Sequence, residues 1–311
     1  MPKFACENYN NKEMKAPQTP NERKNYTKEL DLTVDYNDGD IVIFDHVKEL
    51  AKLYPLKPTT NLVALCSKGS MQLEINGRSL ELHDSDVFVC PSNSRIDKYT
   101  TSEDFECKVL SLSNHIVQGL LRDKSNIWNQ ALYVNQINII KMSEVCKDEF
   151  NYYYSLICSK IHNRDLTAHQ DIMQTLVKAM LLEICLILEQ LSGKVVSEGK
   201  KLSQGKLMFN RFLEMVSNSE VKRRPINYYA DQLAITPKYL TMLCLKYSDK
   251  TASDWIIQYT TEDIRFFLKN TSLSIKEISA KLGFSNMSHF GSYVRKHLGM
   301  SPSTFRHGNV Y

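Results

Sequence analysis

The chain has 311 residues, 42% of them hydrophobic and 24% charged, a globular balance with length for two or three domains. It has no run of 18 apolar residues and no apolar signal core at its N-terminus, which argues against membrane contact and for a cytoplasmic protein. The net charge of +4 is uneven: residues 206–308 hold 15 Lys/Arg against 8 Asp/Glu, so the C-terminal third suits a polyanion-binding module.

Residues 1–29 are polar, with Pro17, Pro20 and almost no apolar periodicity, and read as a mobile arm. From about 31 to 112 the pattern is β. Ile41–Phe44 and Leu62–Cys66 are short apolar runs, and Met71–Ile75 and Ser79–Leu82 alternate on either side of Asn76-Gly77, a type I′ hairpin signal. Val87–Pro91 and Phe105–Leu110 add further strands, and the set suggests a small barrel or jelly roll. Residues 113–191 turn helical. Apolar residues in 143–161 recur at steps of three and four, and helix 171–191 is apolar on most sides. Such a helix must be covered, either by the barrel or by a second chain; its breadth favours a homodimer in which residues 113–191 pair two copies. Residues 192–205, rich in Gly, Ser and Lys, read as a flexible linker. The eight cysteines contain no C-x-x-C pair, so neither a zinc site nor a disulfide framework is expected.

Beyond 206 the signals are helical and punctuated. After a helix over 206–221, residues 226–233 form a short helix, and Thr236-Pro237 caps and starts another. Ser274 and Glu277 have capping-box spacing, Gly283 ends the helix they open, and Ser285 or Asn286 caps the next. Ser301-Pro302 opens a last one. Two short helices joined by a tight turn, the second with a polar and basic face, make a helix-turn-helix. The string of Ile278, Gly283, Phe284, Phe290, Gly299, Met300, Ser301, Pro302, Phe305 and Arg306 resembles the second helix-turn-helix of the AraC/XylS transcription regulators. The resemblance continues upstream through Ala230, Leu233, Pro237, Tyr239, Leu240 and Trp255, about 100 residues in all. Ala234 and Asp249 depart from it, standing where glycine is usual; a left-handed Ala234 would cost roughly 1 kcal/mol.

The resemblance implies an α+β chain: a cupin-like β-barrel with a helical dimerisation segment over 30–191, the linker 192–205, and an all-α DNA-binding domain over 206–311 with two helix-turn-helix motifs. It implies a transcription regulator on double-stranded promoter DNA, controlled by an unknown small-molecule effector, with RNA polymerase as a further candidate partner. Two other readings stand beside it. One is a constitutive regulator whose barrel is a scaffold; the other is a metal-dependent cupin enzyme with a DNA-binding tail. Metal-binding cupins need a His-x-His pair, whereas His46 and His83 stand alone, so no metal, cofactor or catalytic residue is expected. Position by position, Lys238, Thr241 and Met242 would face bases in one groove segment, and Met287, Ser288, His289 and Ser292 in the next. Lys246, Lys269, Arg295 and Lys296 would meet phosphates. The two methionines cannot donate hydrogen bonds, so they read a thymine methyl or leave specificity to DNA shape.

Overall fold

The computed structural model describes residues 36–47, 58–161, 169–197 and 202–308; the arm read over 1–29 lies outside the described residues. Nine strands come first: β1 Tyr36–Asn37, β2 Ile41–Val47, β3 Asn61–Lys68, β4 Ser70–Ile75, β5 Arg78–His83, β6 Asp86–Cys90, β7 Ile96–Thr101, β8 Glu106–Leu112 and, later in the chain, β9 Ile139–Lys141. They form two antiparallel sheets, one ordered β1-β2-β8-β3-β6-β9 and one ordered β5-β4-β7. The β4–β5 turn has Asn76 at φ 50° and Gly77 at φ 73°, as the Asn-Gly signal requires.

The closed barrel expected from the strand pattern does not form; among the described residues no ladder joins the two sheets. The reason lies in strands that are apolar on both faces. On β3, Val63 and Leu65 face a helical layer while Ala64 and Cys66 face the small sheet. On β6, Val87 and Val89 take the first side, Phe88 and Cys90 the second. The large sheet is thus a middle layer, with helices on one face and the small sheet on the other.

The helical layer begins with α1 Asn114–Leu120, a 3-10 turn Arg122–Lys124, α2 Ser125–Asn129 and a π-helical turn Gln130–Val134. Then follow α3 Glu144–Ile161 and α4 His169–Ser197. The breadth of α4 pointed to a second chain, and the packing corrects that argument. Met173, Val177, Met180, Leu181, Ile184 and Leu188 are buried within the single chain, in one core with Phe150, Tyr154 and Ile157 of α3 and Trp128 of α2. Helix α4 also continues to Ser197, through the first six residues of the stretch read as a linker.

The remaining helices are α5 Gln204–Asn218, α6 Ile226–Gln232, α7 Pro237–Ser248, α8 Ala252–Asn270, α9 Ile275–Lys281, α10 Met287–Leu298 and α11 Pro302–His307. They divide between two cores. Phe209, Phe212, Tyr229, Leu240, Trp255 and Tyr259 belong to the same cluster as α2, α3 and α4. Ile264, Leu268, Ile278, Phe284, Phe290, Val294 and Phe305 form a separate one. The junction is specific as well as apolar. Tyr133 meets Trp255 edge-on at 5.3 Å between ring centroids. Asn129 Nδ2 donates to Tyr259 Oη at 2.8 Å, with both residues buried. Asp263, itself buried, receives Arg122 at 2.7 Å and Lys222 at 2.9 Å.

Candidate nucleic-acid interface

The pair α6–α7 and the pair α9–α10 repeat one another in backbone detail. In the first turn Ala234 N–H donates to Asp231 O and Ile235 N–H to Ala230 O, each at 3.0 Å. In the second, Gly283 N–H donates to Ala280 O and Phe284 N–H to Ser279 O, again at 3.0 Å. Both turns need a left-handed residue: φ is 53° at Ala234 and 72° at Gly283. Ala234 thus adopts the left-handed backbone, with the strain that conformation carries for a non-glycine residue. At Gly283 a side chain is excluded twice over, because a Cβ would stand 2.6 Å from Val221 Cγ1.

The second helices of the two pairs also correspond. Thr236 caps α7 through the Tyr239 N–H, and Asn286 caps α10 through the His289 N–H. Left-handed residues close both, Asp249 at φ 54° and Gly299 at φ 77°. A capped helix follows each, with Thr251 opening α8 and Ser301 opening α11. In α9 the Ser274 hydroxyl and backbone N–H hold the Glu277 carboxylate below its usual range, which is the capping box at work.

Each second helix buries one side and exposes the other. On α7, Leu240, Leu243 and Cys244 are buried, whereas Lys238, Met242 and Lys246 are exposed and Thr241 is half-buried. On α10, Phe290 and Val294 are buried, whereas Met287, Ser288, His289, Ser292, Arg295 and Lys296 are exposed. Ten of the residues singled out in the sequence therefore fall into two groups, each on the outer side of one helix, while Lys269 lies at the end of α8. His289 Nδ1 lies 3.1 Å from Ser285 Oγ, which orients the ring at the helix start.

Several further cations, among them Lys269 of the expected phosphate set, are committed to the fold. Arg306 donates to the carbonyls of Leu268 and Leu273, tying α11 to α8. Arg223 lies over the Phe284 ring, 4.5 Å from its centroid. Lys269 donates to Gly308 O. Lys250 has no sequence signal at all. It is buried beside Tyr133 and Trp255, donates to Gln258 Oε1 at 3.0 Å, and burial lowers its ammonium pKa to about 8. Among the described residues no group of three or more His, Cys, Asp or Glu side chains is arranged to hold a metal, and no helix is long and apolar enough to cross a membrane.

Residues 229–308, which run from within α6 through α11, match a family model described as a helix-turn-helix domain. The Msm operon regulatory protein of Streptococcus mutans serotype c is 24% identical over 286 residues, 87% of this chain and 96% of that protein. The uncharacterized HTH-type transcriptional regulator YdiP of Escherichia coli is 38% identical over 53 residues, 17% of this chain and 18% of that one. Among solved structures, unsaturated fatty acid bound ToxT of Vibrio cholerae spans 87% of this chain and 96% of its own at 14% identity, but with a TM-score of 0.32 the superposition is too loose to carry an argument. The sequence match and the exposed second helices agree: residues 229–308 carry a helix-turn-helix domain, in a chain that is similar over most of its length to a bacterial operon regulatory protein.

Proposed function

We propose that both helix pairs are helix-turn-helix units, that α7 and α10 enter successive major-groove segments of a promoter, and that a small hydrophilic effector controls how they sit there. The repeat of turn, caps and exposed face between residues 226–249 and 275–299 carries this reading, because it gives two similar readers on one rigid connection, α8. In this reading Lys238, Thr241, Met242, Met287, Ser288, His289 and Ser292 meet base edges, and Lys246, Arg295 and Lys296 meet phosphates. Replacing Ser288 and His289 together by Ala then lowers preference for a selected site more than non-specific binding. Replacing Lys296 by Ala weakens both about equally and flattens the salt dependence. Equal losses in the two variants would overturn the division of roles.

Support for an effector comes from a cleft of about 980 Å³ between the β4–β5 turn and the C-terminal end of α7. Glu74, Arg95, Lys98 and Gln136 line one side, and Lys246 and Asp249 the other. A ligand there touches a DNA-binding helix directly, so its binding free energy can differ between two placements of that helix. The lining is hydrophilic, which suits a polar metabolite. The measurement is DNA affinity of the full chain across a panel of polar metabolites; a chain that binds DNA identically with all of them is a constitutive regulator. We also assign a homodimer, now to α3 rather than α4, because Val145, Tyr152 and Leu156 form an exposed apolar stripe on α3. Tyr152→Glu should then give a folded monomer by light scattering.

A further inference from the structure

The caps set α7 and α10 in register: Thr236 answers to Asn286, Asp249 to Gly299 and Thr251 to Ser301, a constant offset of 50 positions. On that register the outer faces differ in kind. Where α10 presents Ser292 and Arg295, α7 presents Met242 and Leu245, 50% and 44% exposed. With Pro237 they border a shallow depression of about 480 Å³ whose polar neighbours among the described residues are Lys238 and Thr241. These side chains are not core, because Leu240, Leu243 and Cys244 already fill the buried side of the helix.

We propose that α7 selects thymine, with Met242 and Leu245 packing on C5-methyl groups in the major groove, while α10, apart from Met287 at its start, reads by hydrogen bonds. This rests on the placement of α7 in the groove given above and names what it reads there. Chemistry commits the apolar face to this occupant. The thymine methyl is the one apolar group on the major-groove edges of the bases. Lys238 and Lys246 sit at the two ends of the same exposed side, so the surroundings favour a polyanion over an apolar protein partner. Met242 is flexible and Leu245 rigid, which lets the pair accommodate two methyls at slightly different depths.

The test uses the full chain and a duplex selected by it from a randomised pool. Thymines are replaced one at a time by deoxyuridine, which deletes the methyl and keeps every hydrogen-bonding group. Binding should fall about fourfold at each contacted position, the worth of one buried methyl-sized group. The Met242→Ala/Leu245→Ala double variant should bind thymine and deoxyuridine duplexes equally. Both residues are exposed, so the variant should melt at the temperature of the parent. If no replacement weakens the parent while the double variant still binds DNA less well, methyl reading is wrong and the placement of α7 stands. If the double variant binds the selected duplex as tightly as the parent, α7 is not on the DNA, and the broader reading fails with this one.

Discussion

Tyr259→Phe is the sharpest probe of the junction between the strand-bearing region and the DNA-binding helices. The substitution removes one hydroxyl and leaves ring packing intact. That hydroxyl accepts from Asn129 Nδ2 at 2.8 Å, and the two residues are 4% and 1% exposed. Deleting it strands a buried amide donor, at a cost of about 2 kcal/mol. For a chain of this size the corresponding fall in Tm is roughly 3 °C. The two tryptophans flank the contact, Trp128 on α2 and Trp255 on α8, so intrinsic fluorescence reports the junction while far-UV circular dichroism reports the whole. Both signals should shift together, because both rings belong to one core. A cycle with Asn129→Ala adds a second criterion: the double variant should lose less than the sum of the singles. Strictly additive losses, or a Tyr259→Phe shift under about 1 °C, would refute the claim that this bond joins the two regions.

Glu262 offers a pH test. Burial raises its pKa to about 8 against the opposing pull of Arg265 and Arg122, with Asp263 and Asp40 adding to the rise. A carboxyl whose folded pKa is raised binds more protons folded than unfolded, so stability falls as pH climbs from its ordinary 4.5 toward 8. Glu262→Gln should flatten that slope and melt higher than the parent at pH 8.5; parallel Tm–pH curves would contradict it. Lys250→Met, which installs the residue found at the corresponding Met300, should raise stability at pH 7 by ~1–2 kcal/mol by removing a desolvated ammonium. A lower urea midpoint would mean its contacts with Trp255 and Gln258 outweigh that cost. Ala234→Gly should gain about 1 kcal/mol by relieving a left-handed alanine, and Gly283→Ala should lose more than that because Val221 blocks the new methyl. Chemical denaturation of the two variants checks the opposite signs.

The legible parts of the chain were those whose signals are local. Asn76-Gly77 announced the β4–β5 hairpin, and Thr236-Pro237, Ser274 with Glu277, and Ser301-Pro302 announced helix starts that the caps reproduce. Strand β7 was missed because Ile96–Thr101 is an edge strand with one buried residue and a polar remainder, and β9 because three residues carry no period. The exposed sides of α7 and α10 were legible for the same reason that the cores were: positions three and four apart share a face. What the sequence hid was partnership. Trp128, Tyr133, Trp255 and Tyr259 look equally apolar whether they pack within their own region or across the junction. The ion pairs of Asp263 with Arg122 and Lys222 span 141 and 41 positions, beyond the reach of any spacing rule. Leu181 on α4 shows the converse error, where apolar breadth was read as a surface although α3 covers it in the same chain.

The division of the DNA-binding helices between two cores has a consequence for how such a chain can change over time. The seam falls inside α8, between Tyr259, which is anchored to the strand-bearing region, and Ile264, which opens the separate cluster. Residues from Ile264 to Gly308 carry their own aromatic centre, and they reach the rest through one continuous helix, the Val221–Gly283 contact, and Arg223 and Arg122 over the Phe284 and Phe266 rings. That makes them a transferable cassette. A related chain's equivalent segment, spliced at this seam, replaces α10 and leaves α7 and the cleft beside it untouched. Helix α7 has no such freedom, since exchanging it disturbs Leu240 and Cys244, which belong to the core shared with α2, α3 and α4. On the proposed placement of these helices, target sites should therefore drift faster in the half facing α10 than in the half facing α7.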